Sequence, residues 1–161
     1  MATELTPAEK ELGEVWGLAQ AAMATAATVE RIVDDGPLAQ LLRRMRGDAE
    51  EMADRCKQTA GALDGRTSAV TRRAREAKRR ATEASKAYLE GERDGLAGLE
   101  YVVMAEAGEL GHWRVLRELN GRAGSREIRE LVEHALPVQE THCKMAEDAS
   151  IELARRVAAE G

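Results

Sequence analysis

Along nearly the whole chain, apolar side chains recur at alternating steps of three and four residues, the spacing that gathers them on one face of an α-helix. Leu38, Leu41, Met45, Met52, Cys56, Thr59 and Leu63 form one such stripe, and Ile128, Leu131, Ala135, Val138, Met145 and Ala149 form another. Composition sharpens the inference. Of 161 residues 29 are alanine, aromatic residues make up 2%, and phenylalanine is absent. Small side chains let helices approach closely, whereas sheets favour β-branched and aromatic residues. An all-α chain follows, and its length suits one domain over residues 1–161.

Capping and breaking residues divide the pattern. Thr6, Pro7 and Glu9 spell a capping box that opens a helix running to about Asp34. Gly36-Pro37 ends it with a left-handed glycine cap and opens a second helix that stops near Gly65. A third stripe, Val70, Ala74, Ala77, Ala81, Ala84 and Tyr88, is thin, because most positions between these are charged. Gly91, Gly95 and Gly98 interrupt it before a fourth pattern ending at Asn120, and Ser125 caps the last helix. At 1.5 Å per residue the segment 66–90 spans about 37 Å and crosses a whole bundle. The predicted fold is therefore a four-helix bundle of ferritin-like type with a long helical crossover between core helices 2 and 3. A five-helix bundle, or one coiled coil from about 66 to 119, is the rival topology.

The formal net charge is -5, which disfavours a general nucleic-acid binder. The crossover is nevertheless basic, with Arg72, Arg73, Arg75, Lys78, Arg79 and Arg80 in one run. Arginine forks of this kind suit phosphate oxygens or an acidic partner. No aromatic or amide residues interleave to read bases, so an internal salt-bridged surface, laid against the helix bearing Asp48, Glu50, Glu51 and Asp54, is the commoner arrangement. The chain start has no basic segment followed by an apolar run, and no long apolar stretch occurs. The expectation is a cytoplasmic protein with no membrane segment. Cys56 and Cys143 lack metal or redox spacing and read as small core residues.

Polar residues on apolar stripes demand an explanation. Glu106 falls between Val103 and Leu110, His142 between Val138 and Met145, and Asp48 between Met45 and Met52. Glu106 and His142 sit on successive antiparallel helices and can meet, either as a buried pair fixing register or as ligands of iron or manganese. Glu109 and His112 form a Glu-x-x-His pair, but its direction differs from that of Glu106 and suits the surface. Gln139 offers an amide where an anionic ligand is wanted, and Glu51 is a supporting carboxylate. Pro137 removes an amide from the last helix and kinks it. No nucleophile with an adjacent base and no phosphate loop is present.

Glu106-Ala-Gly-Glu-Leu-Gly111 and Leu136-Pro-Val-Gln-Glu-Thr-His142, with the Gly-Pro joint and long crossover, resemble the YciE/YciF-like branch of the ferritin-like proteins over about residues 10–155. The resemblance implies a dimeric bundle of the di-metal carboxylate type, associated with stress responses. Its ligands carry over to Glu106 and His142, with Gln139 in a third place. The positions near Ala19 or Gln20 and near Met52 have lost theirs. A degenerate or altered metal centre is what this implies, with oxidase- or peroxidase-like chemistry if active. The alternative is a non-enzymatic scaffold whose basic helix binds an acidic partner.

Overall fold

The computed structural model describes residues 4–122 and 124–161. The expectation about the chain start rests partly on residues 1–3, outside that range. Five helices and no strand occur among the described residues: α1 Pro7–Ile32, α2 Gly36–Ala62, α3 Thr67–Leu89, α4 Gly95–Asn120 and α5 Arg126–Glu160. None is long and apolar enough to cross a membrane.

Each helix starts where a side chain satisfies its first amides. The Thr6 hydroxyl accepts from the Glu9 amide while Glu9 accepts from the Thr6 amide, so the capping box forms as spelled. Asp35, not a glycine cap, makes the next joint. Its carboxylate accepts from the Leu38 amide at 2.9 Å, and Gly36 is already the first residue of α2. Asp94 likewise caps α4, so Gly95 and Gly98 lie inside that helix instead of breaking the chain. The break is made by Gly91, whose φ of +76° turns the backbone between α3 and α4 and rules out one coiled coil from 66 to 119. Pro137 sits within a continuous α5.

Helices α1, α2, α5 and α4 form a ring of neighbours in that order, and α3 lies over α1. The basic helix therefore does not rest mainly on the acidic face of α2 as the sequence suggested. Small residues set its place: a Cβ at Gly13 would stand 2.6 Å from the Arg73 side chain, and one at Gly17 would stand 2.4 Å from the Ala74 carbonyl oxygen. Glycine on α1 and the alanine seam of α3 let the two backbones touch. Tyr88, expected on that seam, is exposed and stacks on Tyr101 with ring centres 5.2 Å apart.

The apolar interior is in two parts. One holds Leu12, Trp16, Met52, Cys56, Trp113 and Leu131, and the other holds Val29, Leu42, Met45, Leu99, Val102 and Ala146. Between them, α2 passes Asp48, α4 passes Glu106 and Glu109, and α5 passes Gln139 and His142. A polar layer thus crosses the molecule at mid-height.

Gly17→Leu should lower the unfolding free energy by about 3 kcal/mol, since the new side chain meets backbone and forces α3 outward. Urea denaturation checks this against Gly111→Ala, where an added Cβ meets nothing within 4 Å and stability should hold.

Candidate functional site

His142 is the centre of the polar layer. Its ring is buried, at 4% exposure, and both nitrogens face carboxylates from different helices. Nε2 lies 2.9 Å from Asp48 Oδ2 on α2, and Nδ1 lies 3.5 Å from Glu106 Oε2 on α4. Gln139, one turn earlier on α5, donates its amide to Glu106 Oε2 at 2.7 Å and to the Glu106 carbonyl at 3.1 Å. Burial alone would strip the imidazole of its proton. The bonds to Glu106 and Asp48 outweigh it and hold His142 above its ordinary value. An imidazole facing a carboxylate at each nitrogen is satisfied on both sides only when both nitrogens carry hydrogen. The ring thus faces one acid at each nitrogen, and both acids favour its charged form.

Glu109, assigned to the surface by its helical direction, is instead buried, at 6% exposure. The reason is that α4 packs against both α5 and α1, so its covered arc is wider than one stripe. Removal from water, then repulsion from Glu106, push the Glu109 carboxyl up to about 8, against weaker help from Trp113 and His142. The indole nitrogen of Trp113 is buried and does not reach hydrogen-bonding geometry with any described group. Cys56 and Cys143 border this layer as thiols. Burial and Glu109 raise Cys56, while burial, Glu106 and Glu109 push Cys143 up to about 11. Neither is poised as a thiolate nucleophile.

The other candidate ligands lie elsewhere. Glu51 is exposed and pairs with Arg55 at 3.0 Å on its own helix, so it does not support the centre. His112 is half-exposed and turned toward α1, where the hydrogen bond it donates to the Glu11 carboxylate raises it. It shares no centre with Glu109 or Glu106. Sequence reasoning missed Glu14, a buried acid on α1 facing α3. Arg73 meets it at 2.8 Å and Arg80 at 2.7 and 2.9 Å. These two members of the basic run neutralise an interior acid, and Arg79 pairs with Glu83. Arg72, Arg75 and Lys78 stand exposed.

Among the described residues, no three histidine, cysteine, aspartate or glutamate side chains gather around a point that could hold a metal ion. The geometry of His142 supplies the reason, because Asp48 and Glu106 lie at different ring nitrogens and the imidazole separates them. As arranged, this set does not fit an iron or manganese centre. Comparison with protein-family profiles, curated proteins and solved structures finds no match for this chain.

The high pKa of Glu109 fixes a pH dependence. Its folded value of about 8 lies above its ordinary 4.5, so the folded state holds a proton that the unfolded state releases between those values. The contribution of Glu109 to stability is undiminished below pH 4.5 and declines as pH rises to about 8. Glu109→Gln should remove this part of the slope, leaving the variant on the order of 4 kcal/mol more stable than wild type at pH 8. His142 gives a slope of the same sign from 6.5 upward, which the variant retains. Urea unfolding across this pH range measures both.

Proposed function

We propose that this chain is a ferritin-like helical bundle whose inner metal centre has been altered into a proton-bridged carboxylate–imidazole cluster. Two features support the ferritin-like part of this reading. The pairs α1–α2 and α4–α5 close a ring through α1–α4 and α2–α5, and the long α3 connects them along the outside. The polar layer also stands at mid-height, where bundle proteins of this type build their centres from facing helices.

The observation that carries the altered centre is the double engagement of His142. A ligand histidine offers one ring nitrogen to the metal and secures the other with a hydrogen bond. Here the outer nitrogen is held by Asp48 and the inner one by Glu106, which also accepts from Gln139. Neither lone pair is turned toward a shared cation. The inward face of α1 adds no carboxylate, for Ala19 and Ala26 are buried there. The layer has kept a carboxylate, an amide and an imidazole and uses them to hold protons and tie α2, α4 and α5 together. In this reading the bundle acts as a structural or binding module and is not an oxidase.

Elemental analysis of protein grown with added iron and manganese tests the proposal. The expected content is below about 0.2 metal ions per chain, unchanged by Glu106→Ala. A content near one or two ions per chain that Glu106→Ala abolishes would overturn it.

A further inference from the structure

A groove of about 570 Å³ opens where the last turns of α4 meet the first half of α5, within the range of about 300–1,000 Å³ common to small-molecule sites. Val132 and Leu136, both buried, and Pro137 give it an apolar floor along α5. It shares no residue with the polar layer around His142. Three arginines and three glutamates also line it, and their pairing is uneven. Arg117 holds Glu118 at 2.9 Å, and Arg114 meets Glu140 from outside the groove at 3.6 Å. Arg122 and Arg129 pair with no carboxylate among the described residues, so Glu133 is the one unpaired acid set against two cations. Arg129 lies one turn before Glu133 but donates instead to the Arg122 main-chain carbonyl at 2.7 Å, which brings it to the α4–α5 turn. The groove thus carries an excess of one positive charge, gathered at one end, in a chain whose net charge is -5. From Arg129 to Pro137 its floor runs about 12 Å at 1.5 Å per residue.

We propose that this groove binds a medium-chain aliphatic carboxylate, its head group held by Arg122 and Arg129 and its hydrocarbon chain lying over Val132, Leu136 and Pro137. Guanidinium donors fit a planar carboxylate, and a single excess positive charge suits a monoanion. The floor of about 12 Å matches a chain of about eight carbons, and an apolar cleft with a few placed polar groups is the usual form of a small-molecule site.

Calorimetric titration of octanoate, octanol and octylamine into wild type, an Arg122→Gln/Arg129→Gln double variant and Pro137→Asp tests the assignment. Neither arginine nor Pro137 is buried, and aspartate at 137 restores an amide to α5, so both variants fold. Octanoate should bind wild type at a single site and about tenfold more tightly than octanol, the gain of one charge-assisted contact. Octylamine should bind more weakly than either. The double variant should bring octanoate down to the level of octanol, and Pro137→Asp, which sets a charge at the apolar end, should weaken both. Equal binding of octanoate and octanol, a preference that survives the double variant, octanol binding untouched by Pro137→Asp, or no binding of octanoate to folded wild type would each overturn the proposal.

Discussion

One imidazole joins three helices of this protein. His142 on α5 reaches Asp48 on α2 with one nitrogen and Glu106 on α4 with the other, and Gln139 secures Glu106 from the same face of α5. An isolated charge here would be costly to bury, so each member of the cluster is tolerable only because the others are present. Directional partners also fix the axial register of the three helices, which alanine-rich packing specifies weakly because small side chains interlock little. This layer lies between the two apolar clusters.

The cluster is graded across the molecule. Asp48 is partly exposed on α2, whereas His142, Glu106 and Glu109 are buried. From the surface inward the order is an acid, a base and two further acids. The same sequence positions that make a carboxylate–imidazole pair attractive for a metal make a stable proton-holding pair when each ring nitrogen finds its own acid. What decides between these outcomes is whether the acids approach one side of the ring or both, and here they approach both.

Much of this was legible in the chain. The five helical segments follow from the three-and-four spacing, and Glu106, His142, Gln139 and Asp48 announce themselves as polar residues on apolar stripes. The sequence does not reveal which nitrogen each acid meets, since that depends on how α2 and α4 flank α5. Glu109 and Glu14 escaped for a related reason. A single stripe presumes one covered face, whereas α4 is covered by α1 and α5, and α1 is covered by α2, α3 and α4. The basic run misled in a similar way. Its partner was sought on the acid-rich α2, but Gly13 and Gly17 admit α3 against α1, where Arg73 and Arg80 find the buried Glu14. Charge run and acidic surface are visible in composition, while the close approach that pairs them depends on two glycines whose role appears only in three dimensions.

The account stands on His142 being an imidazolium with a carboxylate at each nitrogen. Nitrogen NMR of isotope-labelled histidine, followed through a pH titration and assigned with His142→Gln, measures this directly. Both ring nitrogens of His142 should remain protonated above pH 6.5, where an ordinary histidine has half released its proton. A neutral ring with one bare nitrogen at or below that pH would contradict the account.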